Sequence, residues 1–346
     1  MKEKYSDYLK FIDEALELAK AIPKYFSKFS NKIYCNHQKL AIYVLMQKFK
    51  TTTRGIVSML RASAEIRMHL GLNRIPVHTT IVRFVNKIKE RISKLLGIRQ
   101  AVNVAVDATG FELEDKSYYY RNITSLWSGR RKKTRKSMKL SIAIDTDKQL
   151  ILTHKIRKDR AHDTKDFKSL LKDLKVRYVL ADKGYSSKKN RHFVVNKLKA
   201  IPIIPKKINE GDFYIRLGRI LKFNDKKYHQ RSKVETVFSV IKKKYGSVLR
   251  NRSSATQKVE LISRLIAYNL DRKQLIYCFI LRGLHQSLII LQYYLSKNHK
   301  LLYRNYQYNQ KSLDQNNQLL FDKVLNLILQ EHNKFLLQLF HQNILF

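Results

Sequence analysis

Three carboxylates are placed where they could do chemistry. Asp107 follows the apolar run Val102-Asn103-Val104-Ala105-Val106, and Asp182 follows a second run, Tyr178-Val179-Leu180-Ala181. Both runs read as buried strands. Each carboxylate is therefore carried to a strand end, where it does not easily stay ionised without a cation or hydrogen-bond donors. Two such groups on adjacent strands raise each other's pKa unless a metal offsets their charge. A pair of Mg²⁺ ions suits the task, because Mg²⁺ takes a few carboxylates together with water and phosphate oxygen. Glu235 is the third candidate ligand, on the helix-period segment SKVETVFSVIKKKYG that stops at Gly246. Arg231 lies four residues before it and Lys242 seven after, so all three share a face if the helix starts that early. The planar fork of Arg binds phosphate at two points. Taken singly, each residue has a plainer explanation: a strand-end Asp as a turn or cap, a Glu and a Lys on a helix as a solvated face. The conjunction is what points to metal and phosphate.

The elements that must position these residues alternate in type. AVNVAVDATGFEL is a β-rich run, and KSMKLSIAIDTDKQLILTHKIRK reads as two strands about an Asp-Thr-Asp turn. A helical HDTKDFKSLLKDLK follows, then the strand VRYVLADKGYS, the basic helix SSKKNRHFVVNKLK, the short strand AIPIIPKK and the helix bearing Glu235. The order β, β, β, α, β, α, β, α predicts an α/β domain, a mixed sheet flanked by helices. Residues 1–96 read as an all-helical region. Within it, TTTRGIVSMLRASAEIRMHLGL stops at Gly71-Leu72-Asn73, and a second helix follows Pro76. This pair is either a helix-turn-helix that enters a DNA groove or a plain bundle packed on the next domain. KVELISRLIAYNL is an apolar helix expected to pack on the core. The domains expected are thus 1–96, 97–275 and a helical or partly disordered extension, 276–346.

Charge narrows the partner. The 346 residues carry 70 Lys and Arg against 27 Asp and Glu, a formal net charge of +43. Such a surplus opposes compaction unless a polyanion neutralises it, and nucleic acid is the polyanion whose phosphates attract cations regardless of sequence. The basic residues are spread over several elements, which argues against a membrane surface. The run from Ser128 to Lys139 holds seven of them, including Arg130, Arg131, Lys132, Lys133 and Arg135, and phosphate contact is expected there. Residues 281–346 differ: seven basic and three acidic side chains give only +4, alongside 17 Asn and Gln. The two cysteines, Cys35 and Cys278, have neither disulfide-framework nor zinc-ligand spacing, which fits a reducing cytosol.

Three blocks resemble the insertion-sequence DDE transposases of the IS4/IS5 type: VNVAVDATGFE with Asp107, YVLADKGYSS with Asp182, and YHQRSKVETVFSVIKKKYG. In the last, Tyr228, Arg231, Glu235 and Lys242 are separated by two, three and six residues, the family's Y-R-E-K signature. The resemblance covers residues 101–246 and, less specifically, the flanks out to about 275. It implies an RNase H-like fold in which Asp107, Asp182 and Glu235 hold two Mg²⁺ ions, with Mn²⁺ as a substitute. It implies cleavage of element ends and joining of the 3′-OH to target DNA, with Tyr228, Arg231 and Lys242 holding DNA phosphate. It further implies double-stranded DNA as partner, a homodimer at the paired ends, and a prokaryotic cytoplasmic, nucleoid-associated location. The alternative from the same residues is a catalytically inactive remnant that binds DNA as a repressor.

Overall fold

β1 (Gln100–Leu113) is the central strand of the sheet. In the computed structural model, which describes residues 8–96, 98–114, 137–158, 162, 164–205 and 224–280, it lies third in a sheet ordered β3-β2-β1-β4-β5, with a sixth strand also paired to it. β2 (Ser137–Asp145) runs antiparallel to it, from Val104 opposite Asp145 to Glu112 opposite Ser137. β3 (Ile151–Arg157) continues antiparallel on the outside of β2. On the other edge β4 (Lys175–Ala181) pairs in parallel with the first half of β1, and β5 (Ile201–Ile203) lies beyond it. β6 (Val248–Leu249) pairs in parallel with Glu112 and Leu113 at the far end. The sheet is thus mixed, as the element order predicts, and its helices complete an α/β fold consistent with the RNase H-like DDE type.

The strand pleat sends alternate residues of β1 to opposite faces. Ala105 and Phe111 enter the larger hydrophobic core, while Val104 and Val106 enter a smaller one with α6 (Thr164–Leu171). The larger core also takes in the N-terminal helices α1 (Tyr8–Ala19), α2 (Asn36–Lys48), α3 (Thr53–Ala62), α4 (Ala64–His69) and α5 (His78–Lys87). α2 is buried from Leu40 to Lys48 on every face, so it serves as an interior helix and not as a surface one. The single helix read through Ala62–His69 is in fact two. The Ser63 N–H bonds Met59 O to end α3, and its side chain accepts from the Ile66 N–H to start α4.

Further along lie α7 (Lys188–His192), α8 (Asp225–Tyr228) and α9 (Ser232–Tyr245). α9 buries Val234, Val237, Phe238, Ile241 and Tyr245, a stripe at helical spacing. Gly246 then stops it with φ 103°, a backbone conformation open to glycine. Residues 254–280 are helical and form α10. Its segment to Gln274 is buried almost throughout, polar side chains included, as expected for the apolar stretch KVELISRLIAYNL. Met1–Ile276 form one compact unit and Tyr277–Phe346 a second.

Candidate active site

Asp107 does not end its strand. It stands at the middle of β1, which runs on to Leu113. What ends beside it is β4: Val106 pairs with Ala181, and the next residues along the two parallel strands are Asp107 and Asp182. The two carboxylates are thus carried on neighbouring strands, about 4.8 Å apart in the pairing direction. They also share a face. Ala105 precedes Asp107 by two residues and Leu180 precedes Asp182 by two, and both enter the larger core. Beyond Val106 this edge of β1 meets no strand, among the described residues, until Glu112 meets Val248 of β6. The sheet is open over the residues between.

Arg231 and Glu235 reach this opening from the start of α9. A short 3₁₀ turn, His229–Arg231, leads into the helix, so Arg231 is the residue just before its first turn. Its guanidinium bridges two acids: Nη2 donates to Glu235 Oε1 at 2.9 Å, and Nη1 lies 3.5 Å from Asp107 Oδ2. The shared face expected of Arg231 and Glu235 is present, and the same fork also spans to the strand. Asp107 Oδ1 accepts from the Ala108 N–H at 2.8 Å. Asp182 is exposed, and its Oδ1 accepts from the Lys183 N–H at 2.7 Å. Burial pushes the Asp107 carboxyl above its usual range. The Ala108 N–H and Arg231 oppose that shift, and the negative charges of Glu235 and Asp182 add to it.

Lys242 is turned toward β1. Its Nζ donates to Thr109 Oγ1 at 2.7 Å and stands 5.4 Å from the centre of the Phe111 ring. Thr109 was not singled out from the sequence, although period-two spacing from Asp107 places it on the same face of the strand. Gln230 is a second such residue. Its Oε1 accepts from Thr146 Oγ1 at 3.1 Å, tying the β2–β3 turn to the approach of α9. Tyr228, at the end of α8, packs partly buried against the larger core. Asp107, Asp182, Glu235 and Arg231 therefore border one opening, Tyr228 stands just before the turn that carries Arg231, and Lys242 bonds β1 two residues along from Asp107. Arg130, Arg131, Lys132, Lys133 and Arg135 lie outside the described residues.

The donor set is chemically suited to a hard divalent cation. It consists of carboxylate oxygens, and three acids against one guanidinium leave a surplus of negative charge. Among the described residues no three His, Cys, Asp or Glu side chains stand together as a ready-made cage. The Arg231 fork instead holds the position between Asp107 and Glu235.

Residues 99–270 match the family model described as the transposase DDE domain. No curated protein matches the chain.

Proposed function

Because residues 99–270 belong to the transposase DDE domain family, we propose that this chain cuts DNA at the ends of a mobile element and joins the freed 3′-OH to target DNA. The observation that supports the reading is that Asp107 and Asp182 lie on neighbouring strands at the open edge of β1, while Arg231 spans Asp107 and Glu235. Asp107, Asp182 and Glu235 would hold the divalent ions, Mg²⁺ or Mn²⁺. When bound, such ions neutralise the attacking and leaving oxygens of an in-line displacement at phosphorus.

The chain's own residues do the positioning. β1 and β4 fix the first two carboxylates relative to each other by backbone pairing, so little reorganisation is needed when substrate arrives. Arg231 offers a planar fork that matches two oxygens of one phosphate, and on meeting DNA it exchanges a carboxylate partner for a phosphate one. Lys242 supplies a point charge one step along the strand, held by Thr109. Tyr228 is a further contact to the backbone near the cut. Two copies of the chain would act together on the paired ends.

The test uses the DNA flanking the gene, labelled at one end, with Mg²⁺ or Mn²⁺. Wild-type protein should cut at a repeat boundary, and Asp107→Asn, Asp182→Asn and Glu235→Gln should each lower the rate at least a hundredfold, roughly the scale of losing a group that acts only in the transition state. Retained cutting in all three variants removes the site assignment. Tight binding without cutting by the intact protein would leave a DNA-binding repressor in its place.

A further inference from the structure

Lys242 borders a second space. A cavity of about 370 Å³ lies between the α2–α3 turn and the segment that follows α9, lined by Lys50, Thr52, Lys242, Ser247, Arg250 and Arg264 among others. Two of the charged groups on its wall are used up in holding the fold. Arg264 donates to the carbonyls of Gly246 at 2.7 Å and Val248 at 2.8 Å, and to Glu260 at 2.5 Å. Glu260 in turn accepts from the backbone N–H groups of Arg250 and Asn251. Lys50, Lys242 and Arg250 remain as cations on the lining, and the buried carboxylate does not offset them.

Lys50 sits there at a cost. α2 ends in a turn where the Lys50 N–H bonds Gln47 O at 3.0 Å and the Thr51 N–H bonds Met46 O at 3.1 Å. That pattern places Lys50 at the position usually taken by glycine, and its φ is 52°. A residue with a Cβ is strained there. Its stem runs beside Gly246, where an added Cβ would meet Lys50 Cε at 3.5 Å. A strained backbone retained at the rim of a charged cavity points to use of the side chain.

The cavity is joined to the carboxylate site through Lys242, which lines it and also bonds Thr109, two residues and about 7 Å along β1 from Asp107. We propose that the cavity receives backbone phosphates of the DNA strand whose neighbouring phosphate lies at the carboxylates, with Lys50 and Arg250 as the contacts next after Lys242. This rests on the DNA reading above. It assigns the α2–α3 turn of the N-terminal helices to the strand-holding surface.

Binding of a labelled duplex carrying the element end, measured as Kd against KCl concentration, tests it in wild type, Lys50→Gly, Arg250→Ala and the double variant. Each single change should flatten the slope of log K against log salt by about one, and the pair by about two. At roughly 0.15 M KCl the double variant should bind at least tenfold more weakly, about 1.4 kcal/mol. Lys50→Gly separates this role from a structural one, because glycine relieves the turn: its thermal midpoint should equal or exceed that of wild type while its binding falls. Lys20→Ala removes a charge paired with Glu17 on α1's exit and should stay within about twofold. Unchanged slopes in the cavity variants, or an equal loss in Lys20→Ala, overturn the proposal. So does inorganic phosphate that binds wild type and not the variants while duplex slopes stay equal, since the site would then be one for small anions. A wild type that binds duplex without cutting sinks transposition alone, and the slopes still decide the cavity.

Discussion

Arg231 reaches both Asp107 and Glu235, and it is the cation that opposes their negative charge at the opening. Burial, with two neighbouring carboxylates adding to it, holds the Asp107 pKa up, and the Ala108 N–H and Arg231 pull it down. Removing the guanidinium must therefore raise it further. A carboxylate that has to be ionised to act then becomes competent only at higher pH. Arg231→Gln should shift the acid limb of the cleavage–pH profile upward, with the largest rate deficit on the acid side; an unmoved limb would show that the ion pair is not felt at Asp107. Arg231→Lys keeps the charge and loses the fork, so it should restore the limb only in part. The types and spacing of Asp107, Asp182, Arg231, Glu235 and Lys242 singled them out in the sequence, and the fold sets Asp107 beside Asp182 on the next strand and links it to Glu235 through Arg231. Thr109 and the Arg231–Asp107 contact were not legible, because they depend on how closely α9 crosses β1, and side-chain spacing within either element says nothing of that distance.

α9 carries Glu235 at one end and is tied down at the other. Tyr245 OH donates to Asp271 Oδ2 on α10 at 2.5 Å, Lys244 pairs with the same carboxylate, and Lys48 of α2 donates to its Oδ1 at 2.6 Å. Lys48 is itself buried, with Nζ 4.0 Å from the centre of the Phe11 ring. Burial alone would raise the Asp271 pKa, but Lys48, Lys244 and Tyr245 outweigh it and hold the carboxyl below its ordinary 3.8. The sign follows: the folded state gains from this group above pH 3.8, and the gain is lost as pH falls through the lowered value. Asp271→Asn leaves Lys48 buried without its counter-charge, and should cost about 3 kcal/mol in urea unfolding at neutral pH. The acid-side decline in stability should be shallower in the variant than in wild type. If both curves keep the same shape, the carboxylate is not the group that titrates. The helix itself was readable from Ser232 to Gly246, since its apolar stripe, its acid in the first turn and its terminal glycine agree. The break at Ser63 was not, because apolar periodicity continues across it and only a local choice of hydrogen bonds divides α3 from α4.

Across the whole molecule, +43 charges on 346 residues repel one another. Salt shortens the reach of that repulsion, from about 30 Å at 0.01 M to about 10 Å at 0.1 M. The thermal midpoint should therefore rise between those two salt concentrations, and rise again when duplex DNA is added; a fall with salt would mean that attractive pairs dominate the fold. No helix among the described residues is long and apolar enough to cross a membrane. The charge and the alternation of strands and helices could be read from the chain directly, and both survive in the folded molecule. The Lys48–Asp271 pair could not, since nothing in either local sequence names a partner 223 residues away. That separation also has a meaning in time. A chain is made from its N-terminus at about 5–20 residues per second, so Lys48 waits roughly 10–45 seconds of synthesis for the carboxylate that neutralises it. Until α10 is made, Lys48 of α2 and the far end of α9 lack the carboxylate that joins them. The tie among α2, α9 and α10 is therefore completed late, when nearly all of the first compact unit exists, and a chain cut short before Asp271 would hold every proposed ligand yet lack that tie.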